Sequence, residues 1–316
     1  DNFWWEQSGF VAQRLQTLSW QTGLSTNGAM LTRTSLSQTL KQFQFITEPY
    51  RMPTLLNDLP NDKPFLLAFD PERYDEFGDH SAHLAIGSKL MYDADGLQLY
   101  RLPLSSWKKR LDEKRASVRA GIDTTHNWLD SLVINDSQHY FYENFDSGPG
   151  LHIPRSRLNG RSKADHERAV TDGYHGQGYS GDLSTDNRII DIPKGLNLAA
   201  GNYVFSFWMD IAHDRFARSN FSLEFWQPDG TPAPVIKHMI QEKVRVMDPN
   251  GWALIEIPVE VSAPMTGLLF RIRMPLLKGR ELRVDDVLLR PAVTDVYQRF
   301  NDTLYYNNRY YPPLAE

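Results

Sequence analysis

Cysteine is absent from the 316 residues, so neither disulfides nor thiolate metal sites contribute to this fold. That excludes a small stapled secreted domain and leaves a bacterial cytoplasmic or periplasmic protein open. No apolar run approaches the ~20 residues a bilayer span needs, and no stretch has the pattern of a signal peptide. Basic excess is missing too: 34 Lys and Arg stand against 39 Asp and Glu, a net charge of -5. Nucleic acid is therefore not an expected partner. The chain also contains no Gly-rich phosphate loop, no G-x-S-x-G and no H-E-x-x-H, so no catalytic motif is identifiable.

Aromatics are plentiful, at 16 Phe, 14 Tyr and 8 Trp. Such rings fill cores, and a surplus stacks on flat ligands such as sugars. The length suits two domains, each with its own core. Within the first, "TSLSQTLKQFQFI" (34–46) predicts a short helix, and the wholly apolar run Phe65 to Phe69 predicts a buried strand of the parallel kind. Stretches 83–92 and 97–102 flank Asp95-Gly96 and predict a hairpin. From Ser105 onward Trp107, Leu111, Val118, Ile122 and Leu129 recur at helical spacing, with Lys108, Lys109, Arg110, Lys114, Arg115 and Arg119 mostly off that stripe. The expectation is an α/β N-terminal unit with a connecting helix over residues 1–135.

Beyond residue 137 the helical period gives way to short runs separated by turn residues. These are 139–146, 177–192, 202–210, 220–227, 252–260, 266–274 and 281–289, and they predict an antiparallel β-sandwich over residues 136–316. Alternation divides each strand into two faces. Phe205 and Phe207, Leu223 and Phe225, and Leu268, Phe270 and Ile272 form the inward sets. Trp208 and Asp210, Glu224 and Trp226, and Arg271 and Arg273 form the opposite sets. Charges are not buried unpaired, so this second face is expected to meet solvent. Rings amid carboxylates and guanidinium groups suit a sugar: rings stack on the pyranose and charged groups bond its hydroxyls. Trp208, Trp226, Glu224, Asp210, Arg271 and Arg273 are the candidate ligand-binding residues.

The stretches "YENFDS", "DGYHGQGYSGDLS", "GNYVFSFWMD" and "LRVDDVLLRP" come in the order of jelly-roll carbohydrate-binding modules with a galactose-binding-like fold, which residues 138–292 resemble. The spacing at Ser180-Gly181-Asp182-Leu183-Ser184 and the insert 147–172 depart from that pattern. The resemblance implies carbohydrate as partner and a structural Ca²⁺ where first and last strands meet. Carried over, it points at Asp146 and at Asp285 or Asp286, hard oxygen ligands of the type Ca²⁺ takes. "DKPFLLAFDPERY" with "GSKLMYDADGLQLYRLPL" is faintly similar to extracytoplasmic portions of bacterial polytopic sugar transferases.

Two polar groups could serve chemistry: His80 and His83 with Asp75, Glu76 and Asp79, and the insert residues Asp165, His166, Glu167, Asp172 and His175. The start, Asp1 rather than Met with Trp4-Trp5 following, leads to the expectation of a membrane tether preceding Asp1. The combined expectation is a non-catalytic glycan-binding ectodomain of a bacterial cell-envelope protein, in the periplasm or at the cell surface. Two alternatives stand beside it. One is the soluble part of a glycan-active enzyme, a glycoside hydrolase or a membrane sugar transferase; the other is a structural protein-interaction module.

Overall fold

A computed structural model describes residues 17, 19–23, 52–59, 62–69, 87–94, 97–121, 133–134, 141–146, 170–182, 187–211, 220–248, 250–273, 281–300 and 303–311. The predicted helix 34–46, the His80/His83 group and Asp165, His166 and Glu167 lie outside them. The chain divides into two compact units, residues 1–121 with 246–249 and 316, and residues 122–245 with 250–315. The division falls at Gly121, the last described residue of the helix.

The first unit contains β1 (Phe65–Phe69), β2 (Lys89–Ala94), β3 (Leu97–Leu102) and α1 (Ser105–Gly121). Its sheet has the order β1-β3-β2, antiparallel throughout, and β2 and β3 form the hairpin the sequence predicts. β1 therefore departs from the parallel reading. Among the described residues it is an edge strand with one neighbour, Phe65 opposite Leu102. Phe65 and Leu67 pack with Leu102 and Trp107, while Leu66 between them is 51% exposed. The apolar run thus reflects a half-covered strand whose outer residues happen to be apolar. Along α1 the stripe Trp107, Leu111 and Val118 is buried, and Lys109, Lys114 and Arg119 point to solvent. Phe65 meets Trp107 edge to face at 6.1 Å. Among the described residues, no helix is long and apolar enough to cross a membrane.

The second unit is an antiparallel β-sandwich. Its strands are β4 (Val133–Ile134), β5 (Phe141–Glu143), β6 (Val170–Asp172), β7 (Gln177–Asp182), β8 (Asn187–Ile192), β9 (Gly201–Asp210), β10 (Asn220–Trp226) and β11 (Ile236–Met239). They continue with β12 (Val244–Met247, of which 244–245 belong to this unit), β13 (Trp252–Val261), β14 (Gly267–Arg273), β15 (Glu281–Pro291), β16 (Tyr297–Phe300), β17 (Thr303–Tyr306) and β18 (Arg309–Tyr311). The smaller sheet has the order β11-β10-β14-β8. The larger contains the run β13-β9-β15-β5-β4, with β7 also on β15 and β6 on β7. The inward sets meet as the alternation predicts: Phe270 lies 5.0 Å from Phe205 and 4.7 Å from Phe207, and Phe207 lies 5.6 Å from Phe221. A third sheet, β16-β17-β18, is a short meander near the end of the chain.

β9 and β10 do not pair: β9 lies between β13 and β15, and β10 between β11 and β14. Alternation assigns a residue to a face but not a strand to a sheet, and here the chain changes sheets between the two strands.

Candidate functional site

The outward faces of the two sheets have different fates. On the larger sheet, Trp208 is fully buried and Asp210 is 8% exposed, which corrects their placement on a solvent-facing surface. The cover comes from two places. Tyr174, in the turn between β6 and β7, stacks on Trp208 with centroids 4.0 Å apart and planes 16° apart. From the terminal meander, the Asn308 carbonyl accepts the Trp208 indole N–H at 2.9 Å, and Asn308 Nδ2 donates to Ser206 Oγ at 3.2 Å. Arg309 pairs with Glu256 of β13 at 2.8 Å. This face is therefore interior, and Trp208 and Asp210 cannot receive a ligand.

Beside it lies a buried polar network that includes the aspartates expected to hold Ca²⁺. Adjacent residues of a regular strand point to opposite faces, yet Asp285 and Asp286 are both fully buried. The strand is irregular there: the β15–β9 register shifts between Asp285 and Leu288, and Asp286 has φ +47°. Asp285 accepts the backbone N–H groups of His175 (2.9 Å) and Asp286 (2.7 Å). Asp286 accepts the Tyr142 hydroxyl at 2.6 Å and pairs with His175 Nδ1 through its other oxygen. Gln298 bonds the Tyr142 hydroxyl in turn. Burial, then the charge of Asp286, pushes the Asp285 carboxyl well above the usual range. Asp146 accepts from Gln177 N–H at 2.9 Å and from Asn144 Nδ2 at 2.9 Å, and its charge adds to the push on Asp285. In this arrangement each oxygen of the three has a protein partner, those of Asp286 being Tyr142 and His175. Among the described residues, no three His, Asp or Glu side chains are grouped to hold a metal ion.

Glu143, not among the residues singled out from the sequence, is 1% exposed at the end of β5. Its only signal was a carboxylate closing the apolar pair Phe141-Tyr142. Burial pushes this carboxyl from 4.5 up to about 7, against the pull of the Phe145 N–H on Oε1 at 2.8 Å and with a smaller push from Asp146. A carboxyl raised on folding favours the fold fully below its unfolded value and loses that contribution as pH rises through its folded value. The window here is about pH 4.5 to 7, worth about 3 kcal/mol at 1.36 kcal/mol per pH unit. Glu143→Gln keeps an acceptor for Phe145 and removes the titration. Urea unfolding should show the variant more stable than wild type at pH 8, by about 2–3 kcal/mol, and equal to it near pH 4. Parallel pH profiles for the two proteins would show that Glu143 does not carry this dependence.

Among the described residues the outer face of the smaller sheet is partly exposed, and it gathers four of the six predicted binding residues. Trp226 is half-buried near the end of β10. A Cβ on Gly267, its partner on β14, would come within 2.8 Å of Trp226 Cε3, so glycine is what lets the ring lie against the sheet. Glu224 forms an ion pair with Arg271 diagonally across β10 and β14. Arg273 is exposed two residues further along. Two residues of β8 that the sequence analysis had not selected join them: Arg188 pairs with Asp191 at 3.4 Å. Lys237 of β11 is exposed on the same face, opposite Ser222. Leu269, 4% exposed, floors the centre.

Among solved structures the chain is similar to the K3 adhesin domain of Lys-gingipain from Porphyromonas gingivalis, at 12% identity, covering 48% of this chain and 98% of that one, with a TM-score of 0.28. It is similar to the N-terminal CBM22-1–CBM22-2 tandem domain of Xyn10C from Paenibacillus barcinonensis, at 14% identity, 63% and 56% coverage and a TM-score of 0.30. It is also similar to the C-terminal CBM6 of LamC, a laminarinase from Zobellia galactanivorans, at 18% identity, 37% and 77% coverage and a TM-score of 0.21. No protein-family model matches the chain, and no curated protein matches it.

Proposed function

We propose that the sandwich is a non-catalytic glycan-binding module of a bacterial extracytoplasmic protein, and that the glycan lies on the outer face of the smaller sheet. The observation that carries this is Trp226, a part-exposed indole seated against Gly267 at one end of a face that also carries the polar side chains of Glu224, Arg271 and, at its far end, Arg273. A flat ring beside hydrogen-bonding groups fixed by cross-strand ion pairs matches a pyranose, which has an apolar face and a rim of hydroxyls. The equivalent surface of the larger sheet is buried at Trp208 and Asp210, so the smaller sheet, with Lys237 and Arg273 exposed, is the side on which a polymer would lie. Binding also suits this face better than catalysis. Both carboxylates on it are paired with arginines, and a neighbouring guanidinium works against the protonated state a general acid needs.

Trp226→Ala tests the proposal. Stacking on such a ring is worth on the order of 1 kcal/mol, so affinity should fall about tenfold or slightly less. Stability should fall by no more than about 1–2 kcal/mol, because the ring is only half-buried. Affinity electrophoresis through gels containing xylan, laminarin or polygalacturonate reads the first quantity and thermal unfolding the second. At least one polysaccharide should retard the wild type and release the variant. Retardation that survives the substitution, or its absence in every gel, would remove the basis for this function.

A further inference from the structure

We infer that the ligand of this face is an acidic polysaccharide, one bearing uronate or sulfate groups, rather than a neutral glycan. The inference rests on the glycan-binding function proposed above and specifies its substrate class. Strand register sets Lys237, Ser222, Arg271 and Arg188 opposite one another across the four strands of the smaller sheet. With neighbouring strands about 4.8 Å apart, that row spans about 14 Å and carries three cations. The next row outward, Met239, Asn220 and Arg273, adds a fourth. Two carboxylates share the face, Glu224 with Arg271 and Asp191 with Arg188. Lys237 and Arg273 are both exposed, and among the described residues neither makes an ion pair.

The face thus carries a positive excess on a chain whose net charge is -5. A neutral sugar gives no use for exposed lysine and arginine further along the same face, since hydroxyls are bonded as well by uncharged amides. Anionic groups on successive sugar units do. The paired arginines are held by their carboxylates as fixed donors, and the free pair supplies the net attraction. Bidentate recognition of a carboxylate or sulfate is what guanidinium geometry favours. Such attraction between exposed charges weakens in salt.

The full chain and a Lys237→Gln/Arg273→Gln double variant separate the possibilities. Binding of each is measured to polygalacturonate and alginate, to neutral xylan and laminarin, and to single-stranded DNA, in dilute buffer and at physiological salt. The acidic polysaccharides should bind the wild type at least tenfold tighter than the neutral ones, and should lose about tenfold on moving to physiological salt. The double variant should lose most of that preference with its melting temperature unchanged, both positions being exposed. Neutral glycans bound as tightly, without salt dependence and without effect of the double substitution, would overturn the acidic ligand while leaving glycan binding intact. No polysaccharide bound at all would overturn both. DNA bound as tightly as the acidic polysaccharides would mean a general polyanion surface, and would also overturn it.

Discussion

Trp208→Ala should lower the unfolding free energy of the sandwich by about 3–5 kcal/mol, the range for removing a large ring from a packed interior. The indole is fully buried, stacked on Tyr174 at 4.0 Å, and donates to the Asn308 carbonyl at 2.9 Å. Trp208→Phe divides that loss into its parts. Phenylalanine keeps an aromatic face for Tyr174 but leaves the Asn308 carbonyl without its donor, which costs about 1–3 kcal/mol for a buried group. Urea titration followed by circular dichroism should therefore rank wild type, Trp208→Phe and Trp208→Ala in falling stability. Because Asn308 belongs to the meander β16–β18, both variants should also make residues 297–311 easier to cleave by protease. A Trp208→Ala protein within about 0.5 kcal/mol of wild type, the usual range of exposed positions, would mean that the meander does not close this face.

The second large effect belongs to Asp286. Its side chain holds the Tyr142 hydroxyl at 2.6 Å and His175 Nδ1, and its backbone sits at φ +47°, a region that Asp and Asn tolerate better than other L-residues. Asp286→Ala removes both bonds and puts a Cβ without compensating polar contacts in that conformation. Removing one partner of a buried polar pair costs about 3–5 kcal/mol, and that is the expected loss. Asp286→Asn should cost much less, about 1–2 kcal/mol. The amide oxygen still accepts from Tyr142, asparagine tolerates the backbone, and the NH₂ can donate to an Nδ1 lone pair. Melting curves of the two variants give the ranking. Equal, large losses would assign the effect to the negative charge facing His175. Losses below about 0.5 kcal/mol in both would show that the network contributes little to stability.

Much of the sandwich was legible because period-2 alternation is a local property. The inward assignments of Phe205, Phe207, Leu223, Phe225, Phe270 and Ile272 needed only neighbours in sequence, and each is buried. Trp208 and Trp226 show where that kind of inference ends. Both occupy the outward set of a strand, with nothing local to distinguish them. One is covered by a residue 100 positions away and the other is not. Strand partners were hidden for the same reason, since a strand's neighbours are fixed by the whole topology. Asp285 and Asp286 defeated the opposite assumption: a register shift and a positive φ break the alternation, so two adjacent carboxylates enter the interior together. Arg188, Asp191 and Lys237 joined the binding face only through register, which sequence alone did not supply. In the first unit, β1 read as a parallel strand because an edge strand with an apolar outer residue, Leu66, has the composition of a buried one.

The cover on Trp208 also sets an order of events on the ribosome. Tyr142 waits for a partner 144 residues downstream and Trp208 for one 100 residues downstream. At translation rates of about 5–20 residues per second, the indole and the bare sheet around it emerge about 5–20 seconds before the segment that will cover them. Throughout that interval the nascent chain displays an apolar surface with unpaired strand edges, the kind of surface on which chaperone holdases act and nascent neighbours associate. Synthesis of β16–β18 therefore sets the earliest moment at which this surface can be covered.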